Sequence, residues 1–244
     1  MEIAGRVAVV TGAAGGVGSV GAARLVREGA DVILADIDEE RGAAVAAEMG
    51  GTFFATDVTE ASGANHLIDF ANERDGGLGI LVNNAGGYNR PVFPDAAAAH
   101  WERVLDLNLR AVMLCTQAAL PAMARRGVVV NIASAAGTGT RPYDGAPEYA
   151  AAKAAVIRLT AAMRERDGVR INCISPDWVG TAAVRESIAA MTDTEREDVP
   201  DVLIEPDVIA DGVIRFVRDD TLAGRIMVIW CGERSRLLPD NRRD

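Results

Sequence analysis

Three observations predict an α/β protein built on one doubly wound, parallel sheet of about seven strands with helices on both faces. Short β-branched runs alternate with longer helix-like stretches along the whole chain. The first run, Val7-Ala8-Val9-Val10-Thr11, drives into the cluster Gly12-Ala13-Ala14-Gly15-Gly16-Val17-Gly18, and a small-residue helix follows. No linker, repeat or low-complexity tract divides the 244 residues. That length suits one large domain, so residues 1–244 are read as a single unit.

Strands are expected at about 6–11, 32–36, 52–56, 79–83, 127–133, 169–175 and 225–230. Helices are expected between them at about 17–28, 39–49, 60–74, 98–125, 148–166 and 206–218. Right-handed crossovers then place a ligand crevice at the carboxyl ends of the strands, near the switch in strand order. From Asp193 to Asp207 the chain turns acidic and holds Pro200 and Pro206. Residues 177–205 are therefore expected to form an exposed flap over the crevice.

Composition excludes several roles. Hydrophobic residues make up 49% and charged residues 25%, ordinary for a soluble globular chain. No apolar run approaches the roughly 20 residues of a membrane span, so no membrane partner is expected. Met1-Glu2-Ile3-Ala4-Gly5-Arg6 lacks the basic head and long apolar core of a signal peptide. Cys115, Cys173 and Cys231 are odd in number and far apart, which favours a reducing, cytoplasmic setting. With only His66 and His100 and no paired Cys/His spacing, no metal site is expected. A net charge of -10 disfavours nucleic acid as a partner.

The glycine turn is the first candidate site. Glycine admits backbone angles and close approaches that a Cβ forbids. The N–H groups opening the next helix favour an anion, so Gly12, Ala14, Gly15, Gly16, Val17 and Gly18 form a candidate cradle for a dinucleotide pyrophosphate. The second strand ends Ala35-Asp36-Ile37. Asp36 stands where a carboxylate would take the ribose hydroxyls and repel a 2′-phosphate, while Asp38 suits capping of the next helix. Arg41 is a counter-signal, since it could swing toward a phosphate. After the third strand, Asp57 and Val58 either meet an adenine or open the following helix. After the fourth, Asn83-Asn84-Ala85-Gly86 can bond neighbouring strands while letting backbone approach a ligand.

Three further places carry candidate chemistry. Asn108 lies among leucines inside a helix, where a buried amide needs partners. Ser134 follows the fifth strand at its carboxyl edge. Tyr149 and Lys153 are four apart and share a helix face. A nearby ammonium favours the phenolate, and a pKa shift of about 3 units would correspond to about 4 kcal/mol. That would make Tyr149 a general acid/base near neutrality. After the sixth strand, Pro176 turns the chain, and Thr181 and nearby backbone could hold a carboxamide.

These pieces in this order resemble the short-chain dehydrogenase/reductase family in its short, single-domain form, over about residues 5–230. The resemblance rests on Thr11 to Gly18, on Asn83 to Gly86, on Asn108, Ser134, Tyr149 and Lys153, and on Pro176 to Thr181. It implies a Rossmann fold binding NAD(H), with NADP(H) the lesser expectation because of Asp36. It implies hydride transfer with a secondary alcohol or ketone. Tyr149 would move the proton, Lys153 would hold the nicotinamide ribose and depress the Tyr149 pKa, Ser134 would orient the substrate oxygen, and Asn108 would hold a water. Ile37, Asn84, Ala85, Gly86, Pro176, Val179 and Thr181 would complete the cofactor contacts. A homotetramer is implied, paired through the helices at 98–125 and 148–166.

The sequence departs from that pattern at three places. Asp177 stands where a glycine usually follows the proline. The segment between Ser134 and Tyr149 is long and holds Arg141, Tyr143 and Asp144, expected beside the substrate. Ile229-Trp230-Cys231-Gly232-Glu233 lacks the family's usual Asp-Gly-Gly ending, and the polar tail after it, 234–244, is expected to be disordered or to reach a neighbouring subunit. A second class of function, a dinucleotide-binding sensor or assembly subunit without turnover, is kept as the alternative.

Overall fold

The computed structural model describes residues 1–123, 126–141, 143, 145–197 and 199–239. β1 (Val7–Thr11), β2 (Asp31–Asp36), β3 (Thr52–Ala55), β4 (Leu78–Asn83) and β5 (Val128–Ile132) form the first strands. β6 (Glu165–Arg166), β7 (Val169–Pro176), β8 (Ile226–Ile229) and β9 (Arg236–Leu238) follow. The sheet runs β3-β2-β1-β4-β5-β7-β8-β9, with β6 paired to β7. All neighbours are parallel except β6–β7 and β8–β9. The order reverses between β1 and β4, which sets the crevice at their carboxyl ends.

Both faces of the central strands are covered, so they read as continuous apolar runs; all five residues of β1 are buried. On one face α1 (Gly16–Arg27) and α9 (Pro206–Arg218) bring Leu25, Ile209, Val213 and Phe216 onto the sheet. On the other, α3 (Ala61–Asn72) and α5 (Ala111–Ala122) bring Leu67, Ile68, Cys115 and Ala119. α2 (Glu39–Met49) is capped by Asp38, whose side chain accepts from Arg41 N at 3.0 Å.

Four expectations are corrected. The seven expected strands all form and are parallel, but two short antiparallel strands, β6 and β9, extend the described sheet to nine. β6 is a two-residue arm made by a tight reversal at Asp167 and Gly168, both at positive φ. β9 lies in the polar tail, yet residues 236–238 pair antiparallel with β8; Leu237 is half-buried between exposed Arg236 and Leu238, an edge-strand alternation. The tail beyond 239 is outside the described residues. The stretch 177–205 contains α7 (Ala182–Ala190), capped by Thr181, and the short α8 (Asp193–Arg196), and Ile204 is buried beside Val179.

The fourth correction concerns the long helix expected at 98–125. It divides into α4 (Ala98–Leu105), a π-helical turn (Asp106–Arg110) and α5, with 124–125 outside the described residues. Asn108 supplies the cause. Its Nδ2 donates to Val104 O at 2.8 Å, taking the carbonyl that an α-helix reserves for a backbone N–H. α6 (Pro147–Met163) starts with proline at its first turn and carries Tyr149 and Lys153.

Candidate active site

The turn after β1 is built from backbone. Gly12 and Gly16 have φ of +64° and +58°, which disfavours any side chain. A Cβ on Gly12 would stand 2.7 Å from Ala85 Cα, and one on Gly18 would meet Asn84 Nδ2 at 2.5 Å. Asn84 ties the turn to β4: its Nδ2 donates to Thr11 O and Gly12 O, each at 3.0 Å. Asp36 anchors the far side, its carboxylate accepting from Ala14 N at 2.9 Å and Asp38 N at 3.1 Å. Two of its lone-pair positions are thus used and others stay available. The Arg41 guanidinium reaches over the turn, 2.5 Å from where a Gly15 Cβ would lie.

A cleft of about 1050 Å³ runs from this turn along the carboxyl ends of the strands. Gly12, Gly15, Gly16, Val17, Asp36, Ile37, Asp57 and Val58 line one part. Asn84, Ala85, Gly86, Ser134, Tyr149, Lys153, Pro176, Val179 and Thr181 line the rest. Of the residues expected from sequence, Ala14, Gly18 and Asn108 do not line it. Ala14 and Gly18 are buried within the turn, and Asn108 is buried beneath Gly86 and Gly87. Asp57 accepts from Thr59 N and its hydroxyl at 2.9 and 2.7 Å, closing a local turn. The Thr181 hydroxyl accepts from Val184 N at 3.3 Å and so caps α7 while facing the cleft.

The catalytic end is built from buried side chains. Asn83 Nδ2 donates to Asn131 Oδ1 at 2.9 Å and to Thr116 Oγ1 at 3.0 Å, and Asn131 Nδ2 donates to Thr160 Oγ1 at 2.9 Å. This polar ladder fixes β4, β5, α5 and α6 in register. Lys153, 2% exposed, donates to Ile132 O at 3.0 Å, and its Nζ lies 5.5 Å from the centre of the Tyr149 ring. Burial pulls the Lys153 pKa down to about 8. Ser134 lies next to the Tyr149 hydroxyl, and its Oγ accepts from Ala136 N at 3.2 Å.

The expected depression of the Tyr149 pKa is not found within the protein alone. Burial pushes Tyr149 up to about 12, Tyr88 adds to the rise, and the neighbouring Ser134 opposes it. Lys153 does not offset this, because its own burial lets it lose its proton near 8, before the Tyr149 phenol titrates. The role given to Asn108 is also narrowed. Its Nδ2 donates to Gly87 O at 2.7 Å as well as to Val104, and its Oδ1 accepts from Gly87 N at 3.0 Å. Both amide hydrogens are engaged, and one lone pair on Oδ1 remains for a water. Lys153 Nζ and Asn108 Oδ1 both abut Gly86, where a Cβ would lie 2.9 and 2.8 Å from them.

Sequence reasoning passed over two residues. Tyr88 lies against Tyr149, ring centres 5.1 Å apart; an aromatic directly after Gly86-Gly87 was the available signal. Glu148 is buried and accepts from Phe93 N at 3.3 Å, pinning the 88–96 loop to α6; an acid in the first turn after Pro147 is ordinary at a helix start and gives no further signal. Of the substrate-side residues, Tyr143 and Asp177 line the cleft, whereas Arg141 stacks on Trp230 at 4.0 Å and pairs with Glu233. Asp144 lies outside the described residues. Among the described residues no group of acids, cysteines and histidines could hold a metal ion.

A glycine turn at the strand-order switch, opening on a cleft with Ser, Tyr and Lys at its other end, defines a dinucleotide-binding α/β class. The chain belongs to the short-chain dehydrogenase family, whose model matches residues 6–192. It is 37% identical to L-fucose dehydrogenase of Bos taurus, over 78% of this chain and 72% of that one. It is 36% identical to a 3-alpha-(or 20-beta)-hydroxysteroid dehydrogenase of Mycobacterium bovis, over 90% and 85%. A short-chain type dehydrogenase/reductase from Mycobacterium marinum superposes with a TM-score of 0.84 at 26% identity, covering 93% of this chain and 95% of that one. The protein is thus a dehydrogenase/reductase of a family that uses NAD(P).

Proposed function

We propose that the protein transfers hydride between NAD(H) and a secondary alcohol or ketone, with Tyr149 as the general acid/base. The convergence of Ser134, Tyr149 and Lys153 at one end of the cleft that begins at the Gly12–Gly18 turn carries this reading. The residues fit the dinucleotide: a turn closed to side chains at Gly12 and Gly18, helix N–H groups at Gly16 and Val17, and the Asp36 carboxylate beyond them. When bound, NAD(H) supplies the hydride donor or acceptor. Ser134 Oγ orients the substrate oxygen, and Tyr149 Oη gives it a proton in reduction or takes one in oxidation. Lys153 stands beside Tyr149 and would hold the nicotinamide ribose.

Asp36 supports NAD(H), since a 2′-phosphate would bring negative charge against a carboxylate already fixed by the turn. Arg41 above Gly15 is the group able to offset that repulsion. Calorimetric titration with NADH and NADPH tests the choice: tighter NADH supports Asp36 as the ribose ligand, and tighter NADPH overturns it in favour of Arg41.

We further read residues 1–244 as a single dinucleotide-binding and catalytic domain, and the protein as a cytoplasmic homotetramer. Half-exposed Met113 on α5 supports a paired helix face, and Cys115, Cys173 and Cys231 are all thiols. No described helix is long and apolar enough to cross a membrane. Analytical ultracentrifugation at micromolar concentration tests the assembly, and a monomer would refute it.

A further inference from the structure

The chain has three tyrosines, and all three meet at the catalytic end of the cleft. The Tyr88 ring lies 5.1 Å from that of Tyr149, tilted by 46°. The Tyr143 hydroxyl lies beside that of Tyr88 and close to the backbone of Ala146. Trp178 joins them in the lining. Tyr88 and Tyr143 stay 41% and 38% exposed, a large aromatic area left open beside the proton donor.

This aromatic wall is held in place. Asn108 grips both the N–H and the carbonyl of Gly87, the residue before Tyr88. Glu148, beside Tyr149 on α6, holds Phe93 at the other end of the same loop. Rigid aromatic faces lose little entropy on binding and favour stacked or edge-on rings over flexible chains.

The charges at this end are the buried Lys153 ammonium and Asp177, which opens onto the cleft. Asp177 lines the cleft and accepts from Cys231 N at 3.5 Å, with the Cys231 thiol beside it; it pairs with no cation among the described residues. The nearby guanidinium groups are engaged elsewhere: Arg141 with Glu233 and Trp230, and Arg185 with Glu205 and Gly180 O. Arg103 lines the cleft together with Asp57, Glu60 and Asp106. Aromatic faces and an unpaired carboxylate attract a cation and repel an anion.

We propose that Tyr88, Tyr143 and Trp178 clamp the ring of a ring-bearing alcohol or ketone, and that Asp177 limits that substrate to neutral or cationic compounds. This names the substrate class of the oxidoreductase site and rests on that reading of the cleft.

The test is calorimetric binding of α-tetralone and of a straight-chain methyl ketone with the same carbon number, with NAD(H) present, alongside turnover of both. Wild type should bind α-tetralone about tenfold more tightly. Tyr88→Leu should lose about that factor for α-tetralone and leave the straight-chain ketone within about twofold, while Tyr88→Phe keeps most of it. Tyr143→Leu is the second variant, should Tyr88→Leu fold poorly. Acetylbenzoate should bind about tenfold more weakly than its methyl ester, and Asp177→Asn should close that gap. Equal affinity for the two ketones, or an equal loss of both in the leucine variants, overturns the clamp. Equal binding of acid and ester overturns the role of Asp177. Ring-selective binding with no turnover by either dinucleotide upholds the clamp and overturns the oxidoreductase reading; turnover without ring preference does the reverse.

Discussion

The two ends of the cleft are made of different materials. The end at β1 and β2 is backbone: glycines at positive φ, helix N–H groups, and one carboxylate clipped to the turn by two amide hydrogens. The end at β4, β5 and α6 is side chain: a buried ladder of asparagines and threonines, a buried lysine, and tyrosines stacked above it. A backbone site is assembled within one short stretch and tolerates little added volume. A side-chain site is assembled from distant segments and depends on burial for its electrostatics. The first binds an anion by shape, and the second sets where a proton rests.

The largest expected effect separates the ends by pH. Lys153 has a folded-state pKa near 8, below its ordinary 10.5, because burial penalises the ammonium. That penalty is full below about pH 8, fades as pH rises, and is absent above about 10.5. Urea unfolding of wild type and Lys153→Met without cofactor should therefore show wild type gaining about 3 kcal/mol relative to the variant between those pH values. A pH-independent difference would mean that the lysine is hydrated. No such pH dependence is expected of Gly12→Ala, which forces a methyl to 2.7 Å from Ala85 Cα at φ +64°. That change should cost about 1–3 kcal/mol and weaken NADH binding.

Asn131→Ala probes the ladder. It leaves an Asn83 amide hydrogen without its acceptor and Thr160 Oγ1 without its donor, and should destabilise by about 1–3 kcal/mol by chemical denaturation. The smallest effect belongs to Gly15→Ala, where the obstacle is the far end of a flexible arginine rather than backbone. It should change stability by less than about 0.5 kcal/mol, and a larger loss would show the Arg41 position to be rigid.

This contrast also explains what the sequence allowed to be read. Strand periodicity and the glycine turn are local, so β1, the turn, Asp36 and the Asp38 cap were legible. Asn83, Asn84, Ser134, Tyr149 and Lys153 were legible because each follows a strand or lies on a helix face. The π-turn was not, because it arises from one side chain taking a main-chain carbonyl. β9 was hidden by its polarity, since an edge strand needs only Leu237 to face inward. The direction of the Tyr149 shift was missed because spacing reveals that Lys153 is near but not that both groups are dry.

The most direct measurement is steady-state turnover of a ketone by wild type and Tyr149→Phe, beside calorimetric binding of NADH to both. The account predicts a loss of about 10²–10⁴-fold in kcat with NADH affinity unchanged, because the proton source is removed and the backbone cradle is untouched. Full activity in Tyr149→Phe would contradict it.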